Sequence, residues 1–243
     1  METVRRNNGR RVHPDTLHFV TESSGPQRAV PAPAPPGAWF IGLGAILVAA
    51  IVLVAAVDGL VGAADASDHV AAAIGLAAVE LSFGVGAIVL ARALHPAPRR
   101  VLGLVRSPWR TAGAIVGGGI VLVFVTGILW SLLVDEPAPS PTEDLGLTLT
   151  AVMAIGVAPL CEEVFFRGYL LSAVARTRLA ERGAVVVQAG AFVLVHPVEA
   201  AGPIAILGLF LGWARVRTGS LWPGILLHLL NNTVAVSLEA FVD

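Results

Sequence analysis

The chain has 243 residues, of which 56% are hydrophobic and only 14% are charged, against roughly 25% charged residues in soluble domains. Its formal net charge of -1 and the lack of a long basic run argue against a nucleic acid partner. A single cysteine excludes an internal disulfide, and the mean hydropathy of +0.79 indicates a polytopic membrane protein.

The N-terminal segment, residues 1–37, is rich in arginine and proline. Such a composition cannot bury enough apolar surface to fold alone, so we predict a disordered cytoplasmic tail. The apolar run that follows, residues 39–57, is longer than the signal-peptide core of about 7 to 15 residues. We therefore interpret it as a retained first membrane span.

Seven apolar segments follow the tail, and we predict an all-α bundle of about seven transmembrane helices. The predicted helices are residues 39–57, 70–94, 112–134, 145–171, 184–196, 204–216 and 221–242. The loops between them alternate between acidic and basic. Because basic loops stay in the cytoplasm, the N-terminus is predicted to be cytoplasmic.

The fifth and sixth segments, residues 184–196 and 204–216, have only thirteen apolar residues each. A helix of that length spans about 20 Å, against a hydrocarbon core of about 30 Å. Either residues 179–182 and 197–203 extend the two helices, or the turn at 197–203 is drawn into the bilayer and lines a cavity. Both alternatives place His196 below the membrane surface.

The fourth segment contains three charged residues, Glu162, Glu163 and Arg167, inside an otherwise apolar stretch. A charge at the centre of a membrane helix costs about 2.5 to 3.5 kcal/mol, so these residues need partners or a wet cavity. Glu163 and Arg167 are four residues apart and are predicted to form an ion pair on one helix face. Glu162 points elsewhere and stays available for proton transfer.

Two later helices contain polar side chains that could reach these carboxylates. Phe192 lies four residues before His196, and His228 lies four residues before Asn232, so each pair shares a helix face. Counted from the inner ends of their spans, Glu162 and the two histidines could meet near the bilayer centre. A carboxylate beside an imidazole suits a general base that acts on water.

Three motifs in order, Glu162-Glu163-x-x-x-Arg167, Phe192-x-x-x-His196 and His228-x-x-x-Asn232, resemble the CPBP family of intramembrane proteases, also called the Abi family. In particular, the chain looks like a relative of the type II CAAX prenyl endopeptidases. The resemblance covers roughly residues 145–243. It implies a four-helix catalytic core there, preceded by three accessory transmembrane helices over residues 38–144.

The resemblance implies an intramembrane endopeptidase whose catalytic water is activated by Glu162 and His196. The residues that match His228 and Asn232 would stabilise the oxyanion or hold a metal. A zinc ion would find three ligands in Glu162, His196 and His228, but we prefer a metal-independent mechanism. The other motif residues, Glu163, Arg167 and Phe192, would support the site.

A non-proteolytic membrane protein is the alternative, either a proton-coupled transporter or an immunity or interaction factor. Glu80, in the second helix, matches no motif and is interpreted as an interhelical contact or a cavity-facing residue. The expected partners are a peptide or protein substrate, which could be membrane-associated, and the lipid bilayer. The expected location is the plasma membrane of a bacterium.

Overall fold

The computed structural model describes residues 32–63, 68–134 and 141–242, and all regular structure in these ranges is helical. The α-helices are α1 Pro36–Ala63, α2 Asp68–Leu94, α3 Pro98–Val101, α4 Trp109–Ser131, α5 Pro141–Thr150, α6 Ala158–Glu162, α7 Leu171–Ala175, α8 Ala180–Leu194, α9 Ala201–Thr218 and α10 Trp222–Val242. The predicted all-α class is confirmed. Of the predicted tail, residues 1–37, positions 1–31 lie outside the described residues. Its last two residues belong to helix α1, which begins at Pro36.

Six helices in the described ranges are long and apolar enough to cross a membrane. They are Pro36–Val61, His69–Leu94, Trp109–Ser131, Leu145–Ala175, Val198–Thr218 and Trp222–Phe241. The helix predicted over residues 184–196 is α8, whose 15 residues reach only about 22 Å. The chain is thus a multi-pass helix bundle in which α8 is shorter than a full span.

The fourth span, Leu145–Ala175, is not a uniform α-helix. Two π-helical segments, Ala151–Val157 and Glu163–Leu170, flank the short helix α6. Pro159 lies just inside α6, and its missing N–H removes one rung of the helical hydrogen-bond ladder. A π segment beside a proline accommodates this loss, and such segments are frequent at functional sites.

Helix α2 packs closely against the fourth span. The Phe83 ring stacks on Phe165 with 4.3 Å between ring centroids. Next to this stack, a Cβ atom added to Gly84 would lie 2.8 Å from the sulfur of Cys161, so only glycine permits the approach. The second helix therefore lies directly alongside the residue that precedes Glu162.

Helix α1 is joined to the same span through Trp39, which is fully buried. The Tyr169 hydroxyl donates a hydrogen bond of 2.8 Å to the Trp39 carbonyl, and the two rings are 5.1 Å apart. The Arg176 guanidinium lies 4.6 Å from the centre of the Trp39 ring. These contacts hold α1 against the end of the fourth span.

Helices α8 and α9 form a hairpin whose turn lies at the C-terminal end of α4. The Trp130 indole N–H donates a hydrogen bond of 2.6 Å to the Glu199 carbonyl in that turn. Within the hairpin, the Gln188 amide donates to the Gly208 carbonyl at 2.8 Å. The turn that follows His196 therefore lies level with the C-terminal end of α4, which is long enough to span the membrane.

Candidate active site

An ion pair between Glu163 and Arg167 forms the base of the site. Their side chains are 1% and 0% exposed, and Glu163 Oε1 lies 2.9 Å from Arg167 Nη1. The four-residue spacing places both side chains on one face of the π-helical segment, as the sequence predicted for the pair. Because neither charge reaches solvent, each depends on the other for compensation.

His228, on α10, lies between the two glutamates and is almost fully buried. Its Nδ1 is 3.2 Å from Glu163 Oε1, and its Nε2 is 3.6 Å from Glu162 Oε2. One imidazole therefore contacts both members of the acidic doublet, one through each ring nitrogen. The hydrogen bond at Nδ1 fixes the ring and directs Nε2 toward Glu162.

The Phe192 ring contacts the guanidinium and the two imidazoles of the site. Arg167 lies 4.1 Å from the ring centre, a cation–π contact in a water-poor environment. The ring also meets His196 at 4.4 Å and His228 at 5.8 Å between centroids. Phe192 is fully buried, so it keeps the guanidinium and the two imidazoles in fixed relative positions.

His196 follows the C-terminal end of α8 and is half-buried. Its Nδ1–H donates a hydrogen bond of 2.7 Å to the Phe192 carbonyl oxygen, which leaves Nε2 for another partner. In the described part of the chain, the histidine paired directly with Glu162 is His228 rather than His196. The predicted action of Glu162 and His196 on one water stays a prediction.

Asn232 is hydrogen bonded to a backbone carbonyl of the fourth span. Its side-chain amide donates to Ala154 at 2.7 Å, and its oxygen accepts from Asn231 at 3.1 Å. In the first π segment the Ala158 N–H reaches back five residues to Met153, and the next residue, Pro159, has no N–H to give to Ala154. The Asn232 amide supplies the missing donor.

Glu80, which the sequence indicated as an interhelical contact or a cavity-facing residue, lies beside the site on α2. Its carboxyl group is 5% exposed and lies close to that of Glu162. The signal was present in the sequence, since a carboxylate inside a membrane helix is expected to have a functional partner. Helical spacing alone could not show which helix that partner was on.

A zinc site made of Glu162, His196 and His228 was one alternative from the sequence. Across residues 32–63, 68–134 and 141–242, no group of three or more His, Cys, Asp or Glu residues is arranged to hold a metal ion. Both ring nitrogens of His228 face carboxylates, and Nδ1 of His196 faces a carbonyl. The described residues therefore contain no ready-made zinc site of this kind.

Chemically, the site combines two adjacent carboxylates, a fixed imidazole and a buried guanidinium. A carboxylate held near a histidine can accept a proton from water, and a fixed N–H can stabilise a developing oxyanion. The low local dielectric strengthens both effects. The arrangement therefore suits the hydrolysis of an acyl bond.

Residues 144–234 match the family model of Rce1-like type II CAAX prenyl endopeptidases. This match confirms the resemblance recognised in the sequence motifs. It includes every residue from Glu162 to Asn232 discussed above, whereas Glu80 and Trp39 lie outside it. Comparison with curated proteins and with solved structures produced no match.

Proposed function

We propose that the chain is an intramembrane endopeptidase that hydrolyses a peptide bond with a water molecule activated by Glu162. The observation that supports this most is the buried contact of His228 with both glutamates, within a segment that matches a protease family. We place the enzyme in the plasma membrane of a bacterium, with its N-terminus in the cytoplasm, because basic loops favour that side.

In the proposed reaction, Glu162 takes a proton from water as the oxygen attacks the scissile carbonyl carbon. A C–O bond forms, the carbonyl becomes an oxyanion, and collapse of this intermediate breaks the C–N bond. Glu162 then passes its proton to the leaving nitrogen. The products are a carboxylic acid and an amine, so the reaction consumes one water.

The remaining residues take roles that follow from their contacts. Glu163 holds His228 through Nδ1, so that Nε2 can donate to the oxyanion when the ring is protonated. Arg167 compensates the charge of Glu163. His196 holds the attacking water through Nε2, the ring nitrogen that does not bond Phe192. Asn232 has a second amide hydrogen besides the one bonded to Ala154, and its side chain shares a helix face with His228.

Cleavage of a membrane-anchored reporter peptide by the purified, reconstituted protein tests this proposal. We expect Glu162→Gln to reduce cleavage by about 100-fold or more, because loss of a general base costs that much. Glu239→Gln, on the far part of α10, is the matched control and should keep the wild-type rate. Wild-type activity in Glu162→Gln would refute the assigned role of this residue.

A proton-coupled transporter is the second candidate, and the pair of Glu80 and Glu162 supports it. Buried carboxyl groups that lie close together inside a membrane are typical of proton relays. Vesicles that contain the wild-type chain would then dissipate an imposed pH gradient in the presence of the transported solute. Glu162-dependent flux without any peptide cleavage would favour this candidate over the protease.

A further inference from the structure

A cavity of about 340 Å³ lies at the end of the helix bundle that carries the basic loops. Its lining includes Ala175, the last residue of the fourth span, and Gly219, the first residue after the span that ends at Thr218. The ends of membrane spans mark the change from hydrocarbon to lipid headgroups. The cavity therefore lies at headgroup level, and none of the described residues that line it belongs to the acidic cluster of the active site.

Positive charge dominates the walls of this cavity. Among the described residues, four charged side chains line it: Arg100, Arg176, Arg215 and Glu181. Three arginines against one glutamate leave an excess of two positive charges. Because guanidinium groups stay charged in proteins, this excess is unfavourable unless an anion neutralises it.

Two of the guanidinium groups are fixed by contacts within the bundle. Arg215 Nη2 donates a hydrogen bond of 2.9 Å to the Val101 carbonyl. Its Nε lies so close to Gly103 that a Cβ atom added there would collide with it. The Arg176 guanidinium lies 4.6 Å from the centre of the Trp39 ring. Each guanidinium has five N–H groups, so these contacts leave others for a ligand in the cavity.

Phosphate is the anion that this arrangement fits best. A planar guanidinium matches phosphate oxygens through two parallel N–H groups. Basic pockets between membrane helices on the cytoplasmic side are typical sites for anionic lipid headgroups. The volume of about 340 Å³ is at the small end of ligand sites, which measure roughly 300 to 1,000 Å³. The cavity therefore suits a single headgroup rather than a folded partner.

We propose that this cavity binds the headgroup phosphate of an anionic phospholipid, with Arg100, Arg176 and Arg215 as the donors. Glu181 reduces the positive charge of the cavity and thereby limits the affinity. A soluble phosphate ester offers the same chemistry, but the position of the cavity at the ends of the spans favours a lipid. The site is separate from the proposed proteolysis and does not depend on it.

Thermal unfolding of the full-length protein in a neutral detergent tests this site. Phosphatidylglycerol should raise the melting temperature as its concentration rises, because a ligand of the folded state stabilises that state. Phosphatidylcholine with the same acyl chains is the neutral control and should give a much smaller shift. Inorganic phosphate at the same concentration should have little effect. A shift from inorganic phosphate as large as that from phosphatidylglycerol would overturn the assignment to a lipid.

Variants at the cavity separate a built site from general attraction to a basic surface. Arg100→Gln should weaken phosphatidylglycerol binding about 10-fold, because a charge-assisted hydrogen bond is lost. Glu181→Gln should strengthen the binding, because it removes the opposing carboxylate. Arg99→Gln changes the exposed arginine next to Arg100 on α3, which does not line the cavity, and should bind like the wild type.

Native mass spectrometry of the same proteins shows directly whether the lipid stays bound. The wild type should retain phosphatidylglycerol, and Arg100→Gln should release it at lower collision energy. Equal weakening in Arg99→Gln and Arg100→Gln, or phosphatidylcholine bound as tightly as phosphatidylglycerol, would overturn the proposed site. An acidic peptide that binds with the same dependence on Arg100 while the lipid does not would overturn it as well.

Discussion

Arg167 combines an ion pair and an aromatic contact within the buried site. Its guanidinium has no exposure to solvent, pairs with Glu163 at 2.9 Å and stacks on Phe192 at 4.1 Å. A planar guanidinium can pair with a carboxylate through its edge and stack on a ring through its face, whereas a compact lysine ammonium has no face to stack. The residue therefore supports the charge of Glu163 and the position of the aromatic ring together.

We predict that Arg167→Ala lowers the free energy of unfolding by about 3 to 5 kcal/mol, because it leaves the buried Glu163 uncompensated. Arg167→Lys should recover part of this stability but little of the cleavage activity. Thermal unfolding in detergent and reporter cleavage measure the two effects. Arg110→Lys, at an exposed arginine 5.3 Å from the Trp109 ring, is the control. Equal behaviour of the two lysine variants would contradict the assigned role of Arg167.

At the scale of elements, the π segments of the fourth span decide where the acidic doublet points. Pro159 lacks the N–H that Ala154 would otherwise receive, and Asn232 takes its place at 2.7 Å. The departure from α-helical register changes the rotation of every residue that follows. The interruption of the helix therefore contributes directly to the geometry of Glu162 and Glu163.

We predict that Pro159→Ala leaves the melting temperature unchanged or higher, since proline is costly within a helix, yet lowers cleavage by about 100-fold. The new N–H can bond the Ile155 carbonyl four residues earlier, which lets the helix return toward α register. Pro223→Ala, at the second residue of α10, is the control, because no helical hydrogen bond is missing there. Full activity in Pro159→Ala would show that the π register is not needed.

At the scale of the whole molecule, the N-terminal helices are part of the packed core. Trp39 of α1 is fully buried against Tyr169, and Phe83 of α2 stacks on Phe165. The fourth span thus receives contacts from both α1 and α2. The predicted division into three accessory helices and a four-helix catalytic core stays a prediction.

Trp39→Ala should lower the free energy of unfolding by about 3 to 5 kcal/mol, because it leaves a cavity where a large aromatic ring was buried. Trp109→Ala removes the same side chain from a position that is 77% exposed and should change stability by less than about 1 kcal/mol. Thermal unfolding of both variants in the same detergent measures the difference. Similar losses in both would mean that α1 does not pack as described.

His95, just beyond the end of α2, makes the stability of this region depend on pH. Burial and the nearby positive charge of Arg176 lower the pKa of His95 from its ordinary value of 6.5. The stabilising contribution is therefore fully present above pH 6.5 and is lost as the pH falls through the lowered pKa of the folded state.

His95→Gln should accordingly flatten the decrease of the melting temperature below pH 6.5. His69→Gln changes an exposed histidine at the start of α2 and controls for the loss of an imidazole at the other end of that helix. Melting curves between neutral and mildly acidic pH measure the slope. An identical slope in His95→Gln and in the wild type would rule out this contribution.

Sequence periodicity predicted the helices well, because long apolar runs have few alternatives in a bilayer. It also predicted the Glu163–Arg167 pair, which depends only on spacing along one helix. Contacts between helices were harder to foresee. The contact of both His228 ring nitrogens with the two glutamates and the position of Glu80 beside Glu162 depend on packing that residue spacing does not encode.

The central claim, that this buried cluster activates water to split a peptide bond, is tested most directly with water labelled with heavy oxygen. We expect mass spectrometry to find one labelled oxygen atom in the new carboxyl terminus of the reporter peptide cut by the wild type in vesicles. Glu162→Gln, reconstituted identically, should form labelled product about 100-fold more slowly or worse. Labelled product at the wild-type rate in Glu162→Gln, or a wild type that forms none, would contradict the account.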